Sequence, residues 1–348
     1  MGFLDRIRTQ TDGSAPGTHI TRSDPARESV VQNELLLSLS RRDIDDSFRE
    51  FWNPLVGPID PYIQQFFQSG LIQDATLADR LDSAFRVKDL KPILESRGVK
   101  PKGNKPDLIR LVLENIPADE VRSMVPMVTR YRATDAGSVQ IEAFRQWKKS
   151  DREAAELNAL QLLRSKNLRG AEGAADEYRG RQLQPSCLGE RQLEAAKTLL
   201  SMGYEDLSVS SSQRFEVACR MALEALFGST DCEGAILEIC GGAIPCPDLI
   251  SFMANPCGMA KGYSADSPGD LAALYVHTKT FHATFLSDLK EMYAETREIA
   301  KGVEILYVDG EPCPICNRGK HKYRWSEIND MPTLPRHWGC RCVLCAWI

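Results

Sequence analysis

The sequence predicts a mainly α, multi-domain chain that ends in a small zinc-stabilised module containing short strands. Three observations carry this expectation. Apolar residues recur at helical spacing through most of the 348 residues. Clusters of Gly, Pro and short polar residues interrupt the pattern and cut the chain into segments. Cysteine and histidine gather in two short groups inside residues 303–348.

Composition excludes several classes. The chain is 43% apolar and 26% charged, with a formal net charge of −5, so a nucleic-acid contact has to come from a local basic patch. No apolar run approaches the roughly twenty residues that cross a bilayer, and no membrane partner is expected. Met1-Gly-Phe-Leu-Asp-Arg6 lacks a secretory core, and Arg6 stands where a myristoylation motif needs Ser or Thr. Eleven cysteines, an odd number without an export signal, argue for reduced or metal-bound thiols in a cytoplasmic protein. Cys187, Cys219, Cys232, Cys240, Cys246 and Cys257 match no metal spacing and read as small buried residues.

Residues 1–28 read as a mobile tail, because Thr11-Asp-Gly-Ser-Ala-Pro-Gly-Thr18 offers turn formers and nothing to bury. Residues 29–60 read as N-terminal helices. Val31, Leu35 and Leu39 share one face, and Ile44, Phe48 and Phe51 repeat the spacing over 43–52 before Pro54, Gly57 and Pro58. A helix from Tyr62 closes at Gly70, and Thr76-Leu-Ala-Asp79 has the form of a helix start.

Residues 85–113 then give a short helix, a basic turn and a second short helix opened by Pro106. Leu90, Leu94, Leu108, Leu111 and Val112 form their expected core, with the preceding helix packed on it. This stretch holds eight Lys or Arg against three Asp or Glu. Lys100, Lys102 and Lys105 crowd the turn beside a helix N-terminus, where free N–H groups favour phosphate oxygens. Gly103 permits close backbone approach.

The pattern Val87-x-Asp-Leu-Lys-x-Ile-Leu94, Arg97-Gly-Val99, Gly103-Asn-Lys-x-Asp-Leu-Ile109 resembles a SAP domain, a helix–extended–helix module of chromatin and DNA-repair proteins. The resemblance covers about residues 80–117, inside a module read at 61–120, and implies double-stranded DNA binding, chiefly to the backbone and often with A·T preference. By position it places Lys88, Lys91, Lys102, Gly103 and Lys105 in the contacting region. Arg86 departs from the pattern, where a hydroxyl cap often precedes the first helix.

Residues 121–266 read as a helical middle domain. Ser150-Asp-Arg-Glu153 has the form of a capping box, Glu190–Met202 and Gln213–Phe227 are helices, and Gly170, Gly173 and Gly180 mark a loop. From 229 to 268 the chain is rich in Gly, Pro and Cys and reads as irregular. Residues 267–302 form a long amphipathic helix, opened by Ser267, Pro268 and Asp270. Its stripe of Leu271, Leu274, Thr278, Phe281, Phe285, Leu289, Met292, Thr296 and Ile299 faces a core, or serves as a seam for a protein partner or self-association. His277 and His282, five apart, read as ordinary polar positions.

Val303–Val308 reads as a strand turning at Asp309-Gly310 into Cys313-x2-Cys316, the usual zinc-knuckle spacing. Leu334-Pro-Arg-His337-Trp-Gly-Cys340-Arg-Cys342-Val-Leu-Cys345 follows. The expected ligands are Cys313 and Cys316 with two of His337, Cys340 and Cys342; Cys342-x2-Cys345 as a second knuckle is the alternative. The spacing suggests a structural zinc site. The segment Gly302–Leu344 also resembles the C-terminal end of phage Mu F-like minor head proteins, through Pro335-x-His337-x2-Cys340-Arg341-Cys342; Trp338 and Cys345 depart from that pattern. This implies a phage or prophage origin for the module, in a bacterial or phage-infected cell. The leading expectation is a non-enzymatic DNA-binding protein, followed by a head-morphogenesis or packaging protein. A metal-dependent nuclease or toxin comes last. Arg318, Lys320, His321, Lys322, Arg324 and Arg336 offer it cations, and His321 or His337 a general base, but no HNH-type pattern or carboxylate cluster accompanies them.

Overall fold

A computed structural model describes residues 25–228, 230–244, 267–307, 314–337, 340 and 342–348, with side chains from residue 28 onward. The tail expected over 1–28 lies outside the described residues up to residue 24, and a helix already begins at Pro25. The described chain divides into two compact units, residues 25–151 with 181–185, and residues 152–180 with 186–348. The segments 29–60 and 61–120 fall in the first, 267–302 and 303–348 in the second, and 121–266 is shared between them.

The first unit contains α1 (Pro25–Leu39), β1 (Asp43–Ile44), α2 (Asp46–Val56), α3 (Asp60–Gln68), β2 (Ile72–Asp74), α4 (Leu77–Ala84), α5 (Val87–Glu95), α6 (Lys105–Asn115), α7 (Ala118–Met124) and β3 (Thr129–Ala133). It ends in the first part of α8 (Asp135–Arg164). β3 lies between β1 and β2 in an antiparallel sheet, with Asp43 opposite Arg130 and Gln73 opposite Arg132. The sequence reading has none of these strands, because two to five residues are too few to show a period.

Leu35, Leu36, Leu39, Phe48, Trp52 and Ile63 build one core of this unit. The buried face of α1 takes Val30 and Leu36, while Val31 is only half-buried. Residues 43–52 are a strand and then a helix. Asp45 separates them, accepting the Phe48 N–H at 2.8 Å and the Ser47 hydroxyl at 2.7 Å. Those bonds hold its carboxyl below the usual range. Trp52 is buried and Phe51 is 46% exposed, the reverse of the expected face.

A second core joins α4 to α7 through Leu81, Leu90, Leu94, Leu108, Ile109 and Val112. Helix α4 does pack on the pair α5–α6, opened by the reciprocal Thr76/Asp79 cap. Ile109 is buried and Leu111 half-buried, so the apolar stripe of α6 is turned by one position from the expected one.

The second unit continues α8 and adds α9 (Leu168–Gly180), α10 (Glu190–Ser201), α11 (Ser211–Phe227), α12 (Cys232–Ile239) and α13 (Pro268–Thr296). Three sequence expectations change here. Ser150–Glu153 lies inside α8, whose start is set at Thr134 by the Gly137 N–H donated to its hydroxyl at 3.1 Å. Gly170, Gly173 and Gly180 belong to α9, which Asn167 opens by accepting the Gly170 N–H at 3.0 Å. Ala171 and Ala175 are buried in its contact, where small residues allow close packing. Within the chain expected to be irregular over 229–268, Cys232–Ile239 form α12, capped by Asp231. Pro245-Cys-Pro247, with Cys246 and Cys257, lies outside the described residues.

Helix α13 starts as expected, with the Ser267 hydroxyl and Asp270 carboxylate capping each other's N–H. Its N-terminal half packs Leu274 and Tyr275 against α10–α12, and its C-terminal half packs Phe285 and Leu289 against the last sheet. The helix is therefore a core element, buried on more than one side. Phe281 and Ile299 of the expected stripe are exposed, while Ala272, Val276 and Tyr293 are buried. His277 is exposed, and burial, with Lys279 second, lowers the pKa of His282. Among the middle cysteines, Cys219 and Cys232 are buried, Cys240 is half-buried, and Cys187 is exposed, against expectation. Burial pushes the Cys219 thiol up to about 11, which suits inert packing. No helix of the described residues is long and apolar enough to cross a membrane.

Leu94→Ala should cost the first unit about 2–5 kcal/mol, since Leu94 is fully buried at the α5–α6 contact. Amide exchange across residues 77–125 should accelerate. Unchanged protection there would show that this core is not the one described.

Candidate metal centre and basic turn

Three antiparallel strands bring the two Cys/His groups together. β4 (Gly302–Tyr307) is the middle strand, flanked by β5 (Lys322–Arg324) and β6 (Cys342–Trp347). Val303 stands opposite Tyr323 on one side and Ala346 on the other. Val303 and Ile305 are buried against Phe285 and Leu289 of α13. The Trp325 indole donates to the Ala300 carbonyl at 2.9 Å, which ties the segment after β5 to the start of β4.

Above this sheet, Cys316, His337 and Cys340 converge. Cys316 Sγ lies 3.2 Å from His337 Nε2 and 3.6 Å from Cys340 Sγ. Around a tetrahedral zinc, bond lengths of about 2.3 Å to sulfur and about 2.0 Å to nitrogen put neighbouring donors about 3.5–3.8 Å apart. The donor types and the close approach fit such an ion, and this cluster could hold a metal. Cys316 and His337 are almost fully buried. Cys313, the expected knuckle partner, and the turn at Asp309-Gly310 lie outside the described residues, as do Trp338 and Arg341.

Cys342 sits at the edge of the cluster. Its thiol hydrogen-bonds to Cys340, which holds the Cys340 thiol well below its ordinary range and pushes that of Cys342 up. Cys345 falls on the opposite face of β6 from Cys342, because strand side chains alternate and the two are three apart. A second knuckle from Cys342 and Cys345 is therefore not formed.

Two side chains support the site that spacing alone does not reveal. The Tyr307 hydroxyl donates to the Cys316 carbonyl at 2.8 Å, and Arg336 Nη1 donates to the same oxygen at 2.7 Å. Both fix the peptide that carries Cys316. His321 is bonded through its ring to the Tyr307 hydroxyl at 3.0 Å, so it is a neighbour of the cluster and not one of its donors. Lys320 pairs with Glu327 at 2.7 Å and Lys322 with Glu304 at 3.4 Å, so these cations are partly neutralised. The cluster contains no carboxylate among the described residues.

In the first unit, Lys88, Lys91, Lys100 and Lys102 are exposed and have no ion-pair partner among the described residues. Lys105 differs from the expectation: it pairs with Asp82 at 3.0 Å. The N-terminus of α6 is also already capped. Asn104 N–H donates to Asp107 at 3.1 Å, the Asn104 side chain accepts the Asp107 N–H at 3.2 Å, and Pro106 has no N–H. Two of the N–H groups at this N-terminus are thus taken by the reciprocal cap, which also brings a carboxylate there, and the ammonium groups remain. Gly103 is set by the turn itself. Its φ is +101°, and a Cβ would come within 2.4 Å of the Asp107 carboxylate. The start of α5 keeps half a cap, with the Arg86 N–H donated to Asp89 at 2.9 Å.

No family model, curated protein or solved structure matches the chain.

Purified protein should carry about one zinc per chain. Cys316→Ser, or chelation, should release it and speed amide exchange across 302–307 and 314–348 while residues 77–125 keep their protection. Metal-free protein with full protection in β4–β6 would refute a structural role. Acidification should weaken zinc binding, because thiol and imidazole donors must give up their protons to the metal.

Proposed function

We propose that the chain is a DNA-binding protein without catalytic activity, in which the first unit grips the duplex backbone and zinc closes the C-terminal module. The observation that carries the DNA reading is the set of four exposed, unpaired lysines on α5 and the turn before α6, in a chain whose net charge is −5. Neutralising phosphates supplies most sequence-independent affinity for DNA. The resemblance of residues 87–109 to a SAP domain supports the same reading. Zinc is favoured by the thiol and imidazole donors of Cys316, His337 and Cys340, with Cys313 and Cys342 as the further candidates. When bound, the ion would tie the turn at Cys316 to the segment 337–340. The lack of a carboxylate in the cluster among the described residues supports a structural rather than a hydrolytic role.

A role in phage head morphogenesis or packaging is the second reading. It is favoured by one observation: His337 and Cys340, within the segment that resembles Mu F-like minor head proteins, are the residues that meet Cys316. On this reading the exposed side of α13 at His277 and Phe281 is the surface for a partner or a second copy. Co-purification with virions would favour it.

Changing Lys88, Lys91, Lys100 and Lys102 together to Gln should weaken binding to every duplex sequence alike, because phosphate contacts position the protein without reading bases. The log–log salt slope should shrink by roughly 0.9 for each phosphate that is no longer neutralised. Duplex titrations at several salt concentrations test this. Equal affinities and slopes in wild type and variant would move the lysine surface from DNA to a protein partner.

A further inference from the structure

The turn after α1 and the first turn of α2 border a cavity of about 390 Å³ in the first unit. Three arginines line it, Arg41, Arg42 and Arg130, together with the rings of Phe51 and Trp52. Arg130 is committed to the fold. Its guanidinium donates to Asp43 and Ser83, each at 2.7 Å, and to the Arg41 carbonyl at 3.2 Å. Arg41 and Arg42 are exposed and have no ion-pair partner among the described residues. Of the two carboxylates at the cavity, Asp43 is neutralised by Arg130, and Asp45 is turned onto the Phe48 N–H and the Ser47 hydroxyl. Asp45 keeps its charge, so the wall holds two unpaired guanidinium groups against one carboxylate.

Phe51 supplies the other half of a recognition surface. Its ring lines the cavity, stays 46% exposed, and rests edge-on against the buried Trp52, with centroids 5.4 Å apart. An aromatic face held in place by a packed neighbour suits stacking of a planar ring. Guanidinium groups suit phosphate oxygens. A pocket of a few hundred Å³ is the usual scale for a small ligand.

The cavity also adjoins the proposed DNA surface. Ser83, which holds Arg130, follows Asp82, and Asp82 binds Lys105 at the foot of the basic turn. The end of α4 thus touches both the cavity wall, through Ser83, and Lys105, through Asp82.

We propose that this cavity takes one unstacked nucleotide of a DNA strand, with its phosphate on Arg41 and Arg42 and its base on the face of Phe51. The proposal rests on the DNA-binding reading of the first unit. It makes the protein prefer DNA with an unpaired end over blunt duplex.

The test is a fluorescence-anisotropy titration of the full chain with a blunt duplex and with the same duplex carrying a few unpaired thymidines. Wild type should bind the tailed duplex about tenfold more tightly, the worth of one stacked base. Phe51→Leu stays apolar, at a smaller volume, and loses the π face; it should bring the ratio to about one and leave blunt binding unchanged. Phe51→Trp should keep the ratio. The Arg41→Gln, Arg42→Gln double variant should also lose it, with thermal melting checking that each variant folds. A Lys100→Gln, Lys102→Gln variant should weaken both ligands and preserve the ratio. If that lysine variant binds both duplexes as wild type does while the tail preference persists, the lysine grip fails and the cavity stands. No tail preference in wild type, or a preference that survives both the Arg and the Leu variants, overturns the proposal. Competition by inorganic phosphate as strong as that by thymidine monophosphate would reduce the site to an anion site and overturn the stacking role. Thymidine monophosphate binding as tightly as the tailed duplex would assign the cavity to a free nucleotide instead.

Discussion

The pairing of β4 with both β5 and β6 is the constraint on which the C-terminal site depends. Cys316 precedes His337 by 21 residues and Cys340 by 24, too far for local structure to bring them together. Pairing on both edges of β4 returns the chain twice to the same strand and closes that loop. Close approach is built in at Gly302, where a Cβ would lie 2.0 Å from the Tyr323 carbonyl oxygen. Any side chain there would push β5 away and with it the segment leading to His337. The apolar support is small, centred on Val303, Ile305, Tyr323 and Leu334 against Phe285 and Leu289. A core of that size gains much from an added cross-link, which is the physical case for a metal at this point.

Arg130 does comparable work in the first unit, by polar rather than apolar means. One guanidinium joins β3 to β1 through Asp43, to the end of α4 through Ser83, and to the turn after α1 through the Arg41 carbonyl. Its side chain is 14% exposed, and its bond to Asp43 is the part-buried one of the three, while those to Ser83 and the Arg41 carbonyl meet solvent. The same bonds shape the wall of the cavity. Because Arg130 consumes its own donors there, the free charge at the mouth falls to Arg41 and Arg42.

Elements with their own chemical punctuation were legible in the sequence. Thr76/Asp79 and Ser267/Asp270 each start a helix where their cap predicts it, and Gly228 ends α11. Ser150–Glu153 shows the limit of that signal: the same spelling inside α8 caps nothing, because helical residues already precede it. Glycines misled in the opposite direction. In α9 the loss of helix propensity at Gly170 and Gly173 is offset by Asn167 and by burial of Ala171 and Ala175, which only the fold reveals. At the candidate metal site Cys316, His337 and Cys340 were legible as donors. The division between Cys342 and Cys345 was not, since it depends on where β6 begins and which face it buries. Nothing in the sequence could join Arg41 and Phe51 to Ser83, because that meeting needs the β1–β3 pairing.

The basic turn shows how two readings of one motif compete. A helix N-terminus beside lysines is attractive to phosphate, and the sequence supports that inference. The residues that make the helix start cleanly, Asn104 and Asp107, satisfy the same N–H groups and bring a carboxylate to the spot. Capping contributes about 1 kcal/mol to the helix whether or not a ligand is present, so a phosphate at this position would have to compete with the cap. Lys105 is also drawn away, to Asp82. The groups left are long, flexible ammonium side chains in water, where each interaction is weak and screened by salt. Such a surface can hold a duplex in place but cannot tell one DNA from another. Discrimination needs a more rigid, partly desolvated feature, which is the role proposed for the cavity lined by Arg41, Arg42, Phe51 and Trp52.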